Sequence, residues 1–83
     1  MVTITKNQNI MEQTLGQKRV KAEFNPAKND VVDQIKNKSA ELIDLLQSLR
    51  SDESTGEKHR VISEAQTCIE TGCMYGVKAN FTK

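Results

Sequence analysis

Tryptophan is absent, histidine and proline occur once each, and only Phe24, Tyr75 and Phe81 are aromatic. With the single His59 and two cysteines, Cys68 and Cys73, the chain falls short of the four spaced ligands that a structural zinc site requires. On a helix those cysteines stand about 140° apart, so they cannot bridge within one chain and read as small buried apolar residues. No apolar run approaches the roughly 18 to 20 residues that spanning a bilayer takes, and a mean hydropathy of −0.59 with 36% apolar residues excludes a membrane protein. The opening Met1-Val2-Thr3-Ile4-Thr5-Lys6-Asn7-Gln8 has neither the basic region nor the apolar stretch of a signal peptide, so a reducing cytoplasm is the expected location. Enzymatic constellations are missing too. There is no glycine-rich phosphate loop and no Cys/His/Asp set on one face, and the Glu41/Asp44 pair reads as surface solvation. The expectation is a binding protein, not an enzyme, with no metal and no cofactor.

What is present must work within 83 residues. A chain of that size forms one domain at most and buries a modest core, so self-association is an early expectation. Net charge is only +1, but it is unevenly spread. Through Lys38 seven bases oppose four acids; from Glu41 to Glu70 three oppose seven; Lys78 and Lys83 then close the chain. An anion is drawn to the N-terminal segment and to the C-terminal tip.

Residues 1–16 carry little periodicity and read as an N-terminal arm or a short helix around residues 8–15. Residues 17–80 form the hairpin. Asn25 is extended because it precedes Pro26, and the chain turns there. A helix is expected over about residues 30–50, capped by Asn29 or Asp30, with Asp33 in the first turn where the dipole favours it. Val32, Ile35, Leu42, Leu46 and Leu49, with Ser39 in the vacant place, are spaced as a coiled-coil seam, which Val31, Ile43 and Leu45 widen. The polar Ser51-Asp52-Glu53-Ser54-Thr55-Gly56 connector makes the next helix, about residues 57–79, antiparallel. Its seam is Val61, Ala65, Cys68, Gly72, Tyr75 and Ala79, with Ile62, Ile69, Cys73 and Gly76 as a second strip. Gly72 and Gly76 each cost about 1 kcal/mol relative to alanine inside a helix. A tight helix crossing or close approach of a ligand compensates, and the sequence leaves both open.

Binding chemistry concentrates at the bend Glu23-Phe24-Asn25-Pro26-Ala27-Lys28. An aromatic at a polar elbow beside Arg19, Lys21 and Lys28 is either a stacking surface or a hydrophobic staple onto the following helix. Lys36 and Lys38 lie about 200° apart on that helix, so they serve different sites.

The run Phe24-Asn25-Pro26, then Val32-Asp33-Gln34-Ile35-Lys36, Ala40-Glu41-Leu42-Ile43-Asp44-Leu45, Ala65-Gln66-Thr67 and Met74-Tyr75-Gly76-Val77-Lys78-Ala79 resembles the phage hairpin family of the second anti-CBASS protein and the first Thoeris anti-defence protein. The likeness spans about residues 17–80. It implies an all-α helical hairpin that assembles into a homo-oligomeric bundle, hexameric in characterised members. It also implies a sponge that holds cyclic oligonucleotide or cyclic ADP-ribose-like immune signals without cleaving them, in the cytoplasm of an infected bacterium. By position, Lys36 resembles the family's phosphate- or base-contacting cation and Phe24 its stacking residue, with Asn25, Pro26 and Arg19 as neighbours. Lys78 resembles an arginine of a separate cyclic trinucleotide pocket, partnered by Lys38. The chain departs from the pattern in having Phe24 for a tyrosine, Lys78 for that arginine, and Tyr75 or nothing where a tryptophan is common. Lysine does not reproduce arginine's bidentate geometry. The strand-rich sequence of Thoeris-type members has no counterpart in so short a chain, which favours the anti-CBASS branch.

One hairpin encloses no large cavity, so the pocket is expected between protomers, with the Phe24 ring and the Lys36 ammonium supplied by separate chains. A different class of function is also open: a structural or adaptor coiled-coil hairpin that regulates a protein partner. DNA binding is disfavoured by a sequence pI near 7.8.

Overall fold

The structure, a computed structural model, describes residues 12–83. Three helices make up its regular structure: α1 (Leu15–Val20), α2 (Asp30–Gln47) and α3 (Gly56–Asn80). The described residues contain no strand. Most of the expected arm lies outside them, and Glu12 to Thr14 carry no helix. The expected helix around residues 8–15 lies mostly outside the described residues, and a helix at Leu15–Val20 spans the junction between the expected arm and the hairpin. Its local cause is a capping box: Gln17 N–H donates to Thr14 Oγ1 (3.1 Å) and Thr14 N–H donates to Gln17 Oε1 (2.9 Å). Lys21 ends it in the left-handed region, at φ 54°.

Asn29, rather than Asp30, caps α2, accepting from the amides of Val31 (2.9 Å) and Val32 (3.1 Å). The helix stops at Gln47, short of Arg50, and the chain tightens into single turns through Leu49 and Arg50. Thr55 then caps α3 by accepting from Lys58 N–H (3.1 Å).

α2 and α3 pack as a hairpin and α1 lies across α2. The buried side chains of α2 are Val32, as the expected seam has it, and then Lys36, Ala40 and Ile43, each one residue on from the seam positions Ile35, Ser39 and Leu42. Leu42, Leu45 and Leu49 face out. On α3 the second strip faces inward through Ile62, Ile69 and Cys73, together with Gln66, while Val61, Cys68, Gly72 and Tyr75 of the expected seam are exposed. Cys68 is therefore not buried in a single chain, whereas Cys73 is.

The inward choice follows from what the neighbours offer. Gln66, 1% exposed, donates to Ile43 O (3.1 Å) and Gln47 Oε1 (3.0 Å). Arg50 reaches Gln47 Oε1 (3.0 Å), His59 Nδ1 (2.9 Å), Ser63 Oγ (2.7 Å) and Gln66 Oε1 (3.1 Å). Arginine only donates, so His59 carries its proton on Nε2. This polar clamp closes the loop end of the hairpin.

The α1/α2 crossing depends on Gly16. A Cβ there would stand 2.1 Å from Ala40 O, and Gly16 N–H donates to Asp44 Oδ1 (2.7 Å). Asp44 is thus not idle solvation: its carboxylate caps the N-terminus of the crossing helix. On α3 the tight crossing belongs to Gly76, whose Cβ would meet Ile35 Cγ2 at 3.3 Å, whereas Gly72 has open space in a single chain. Gly16→Ala is expected to destabilise the fold by about 1–3 kcal/mol through overpacking, read as a lowered urea midpoint. Gly72→Ala should leave the fold of the isolated chain as stable or more so.

Candidate functional site

The elbow between α1 and α2 is built by side chains that bond to the backbone. Asn25 Nδ2 donates to Asn29 O (2.8 Å) and Asp33 Oδ1 (2.8 Å), and Asn25 Oδ1 accepts from Asn29 N–H (3.1 Å). Its amide is spent on shaping the bend. Lys28 N–H donates to Asn25 O (2.9 Å) and adopts φ 52°, so left-handed lysines bracket the elbow at Lys21 and Lys28.

Lys36 comes up from α2 beneath this bend. It is 7% exposed, and its ammonium donates to Lys21 O (3.0 Å) and to Phe24 O. A buried ammonium is tolerated only when hydrogen-bonded, and here the elbow's own carbonyls do it. Among the described residues no carboxylate pairs with it: the ion pairs join Arg19 to Glu70 and Arg60 to Glu57 and Glu64. At the α3 surface, far from any burial, the Arg60 guanidinium holds the Glu57 carboxyl below its ordinary range.

The Lys36 Nζ lies 5.3 Å from the centroid of the Phe24 ring, within cation–π range. Both belong to one chain, so a single hairpin already sets the ring beside the ammonium that the sequence reading assigned to separate chains. The reason is the short elbow, which folds Phe24 back over the second turn of α2. Phe24 is 65% exposed, so it is not a staple sealed into the core.

Phe24, Lys36 and Val77 form the common wall of neighbouring grooves. The larger, about 280 Å³, is lined further by Arg19, Val20, Lys21, Glu70, Cys73 and Met74. The smaller, about 150 Å³, is lined by Asn25, Pro26, Ala27, Val32 and Phe81. The larger groove carries the cations Arg19, Lys21 and Lys36 against one carboxylate, Glu70. Arg19 is fixed by that carboxylate, donating from Nε to Oε1 (2.9 Å) with its NH2 group 2.7 Å from the same oxygen, and by Thr67 Oγ1 (3.3 Å). An aromatic face, cations and apolar walls suit a flat, anionic ligand.

The expected residues Arg19, Phe24 and Lys36 therefore share the larger groove; Pro26 and Asn25 belong to the smaller one, Asn25 chiefly as scaffold. Lys38 and Lys78 are both exposed. Lys78 lines a shallow open hollow with Tyr75, Ala79 and Thr82, and Lys38 is not part of its lining. Sequence reasoning missed Glu70, Met74, Val77 and Phe81. A signal existed, because Glu70, Met74 and Val77 are spaced on one stripe of α3 and Phe81 continues that period just past its end, but only the crossing of α1 makes that stripe a groove wall.

The fold and the groove define a small helical hairpin with a chain elbow laid across the helix pair. The Acb2/Tad1 hairpin domain model matches residues 16–81, and the chain belongs to that family of anti-defence hairpins. No curated protein and no solved structure matches it.

Lys36→Met, which keeps the stem and removes the donors, is expected to destabilise the protein by about 1–3 kcal/mol by stranding the elbow carbonyls. Faster hydrogen exchange at the Phe24 amide, which donates to Lys21 O (2.9 Å), would accompany the loss. An unchanged exchange rate would show that the elbow stands without the ammonium.

Proposed function

We propose that this protein is an anti-defence sponge that binds cyclic oligonucleotide immune signals, cyclic dinucleotides first, and withholds them without cleavage. The observation that carries the reading is the Lys36 ammonium, buried without a carboxylate partner among the described residues, beside the open face of Phe24. A phosphate in the larger groove supplies the missing counter-charge, and a base stacks on the ring. Membership of the Acb2/Tad1 hairpin family supports the same class of ligand.

Self-association belongs to this reading. The groove of about 280 Å³ is open and falls below the roughly 300–1,000 Å³ that encloses a drug-sized ligand, so a second copy closes it. The core is slight, while Val31, Leu42, Leu45, Leu49, Val61 and Tyr75 are exposed, apolar side chains that a second copy can cover. A homo-oligomer, with the hexamer as the expected state, buries those stripes, and a two-fold axis presents each groove residue twice to a ligand of near two-fold symmetry. Chemistry on the ligand is not part of the reading, because the groove's carboxylate is engaged by Arg19 and His59 is committed to the clamp near the loop. Lys38 and Lys78 remain candidates for a separate cyclic trinucleotide site, and cyclic ADP-ribose isomers are further candidate ligands. The setting we propose is a phage protein in the cytoplasm of its bacterial host. No helix of the described residues is long and apolar enough to cross a membrane.

The exposed apolar stripes also favour a second reading, an adaptor hairpin that regulates a protein partner. The two part on small-molecule affinity. Calorimetry with a panel of cyclic dinucleotides, trinucleotides and cyclic ADP-ribose isomers should give tight, stoichiometric binding, with intact ligand recovered after denaturation. Phe24→Ala should weaken it about ten- to hundredfold, the usual cost of one lost stacking platform. Oligomers that take up none of the panel would leave the adaptor standing and the sponge not.

A further inference from the structure

Glu70 is out of place in a groove for anions. It lines the larger groove together with Phe24 and Met74, which are 65% and 60% exposed. A carboxylate there repels phosphate, so it acts on another part of the ligand. Both short contacts from Arg19 go to the same oxygen, Oε1, at 2.9 and 2.7 Å. Glu70 Oε2 has no hydrogen-bond partner among the described residues, and the side chain is 32% exposed. The groove thus presents a fixed carboxylate with an unused acceptor beside an aromatic ring and a thioether, the latter a surface that packs well against flat rings.

Resting on the sponge reading, we infer that Glu70 is a specificity-determining residue that selects guanine in the bound cyclic dinucleotide. An ionised carboxylate is acceptor-only. Guanine offers it adjacent donors, the N1–H and the exocyclic N2 amine, along one edge. Adenine offers one amine beside a bare N1, which sets acceptor against acceptor. Uracil offers one N–H flanked by carbonyls. A site whose fixed polar group goes unmatched rejects the wrong ligand more strongly than a missing apolar contact does. Arg19 is the positioning residue, holding Oε1 so that the other oxygen stays turned to the ligand.

The experiment is calorimetry of the full chain and of Glu70→Gln with cyclic di-GMP, cyclic di-AMP and cyclic di-IMP, which lacks only the N2 amine. The amide of Glu70→Gln still accepts from Arg19, so the α1/α3 tie survives and thermal unfolding should be unchanged. The unaltered protein should bind cyclic di-GMP about tenfold or more tightly than either other ligand, the scale of a lost hydrogen bond to a charged group. Glu70→Gln should erase most of both differences while leaving cyclic di-AMP affinity the same or higher. The cyclic di-IMP comparison on the unaltered chain keeps the test independent of how the variant folds. Equal affinity for all three, or a guanine preference that persists in Glu70→Gln, overturns the inference alone. No binding of any of the three overturns the inference too, while the sponge reading falls only if the wider panel of cyclic trinucleotides and cyclic ADP-ribose isomers also goes unbound.

Discussion

An ammonium occupies a place on α2 where the helix period calls for an apolar residue, and the elbow is organised around it. Lys36 follows Val32 and precedes Ala40 on the buried stripe. Its bonds to the carbonyls of Lys21 and Phe24 gather the chain leaving α1 onto the start of α2. Two consequences come from one interaction. The carbonyl dipoles fix the path of the bend, and the bend fixes the Phe24 ring over the cation at 5.3 Å. The charge is also brought to the wall of a groove whose one carboxylate, Glu70, is bonded to Arg19 rather than to Lys36, so cations outnumber acids in its lining.

The rest of the molecule is arranged so that this end stays open. At the other end the Arg50 clamp joins Gln47, His59, Ser63 and Gln66 across the hairpin. At the middle, Gly16 lets α1 descend onto the Ala40 backbone, and Asp44 receives its N-terminal amide. The apolar core these contacts frame is small: Val20, Ala40, Ile43 and Cys73, with Ala22, Ile35 and Ile69 at its edge. Specific polar contacts and one tight backbone crossing therefore carry much of the alignment that a larger domain would obtain from burial alone.

The hairpin was legible because its signals are local. Asn29 and the Ser51 to Gly56 connector mark helix ends by their own chemistry, and a period near 3.6 marks the helices between them. Which face turns inward was not legible. Two apolar strips on each helix compete, and the winning ones are chosen by partners remote in sequence, Gln66 by Ile43 O and Gly76 by Ile35. From the strips that lost, Leu42 and Leu49 on α2 and Val61, Cys68 and Tyr75 on α3 remain exposed. α1 was missed although Thr14 and Gln17 spell a capping box, because six residues give too few turns for a period to emerge. Lys36 and Phe24 were singled out by type and place, but pairing them within one chain required the α1 crossing. Glu70 could not be seen as a groove residue at all until that crossing supplied the opposite wall.

Strain at the elbow strengthens the case that its side chains are in use. Lys21 and Lys28 hold φ values of 54° and 52°, a region that costs an L-residue roughly 1–2 kcal/mol and costs glycine nothing comparable. Glycine at either place would relax the backbone at once. Each instead carries a cation, and Lys21 lines the larger groove with Arg19 and Lys36. A lysine in a glycine's conformation is reasonable where its charge returns more than the backbone loses. On the proposed reading, that return comes from an anionic ligand held in the groove that Arg19, Lys21 and Lys36 share.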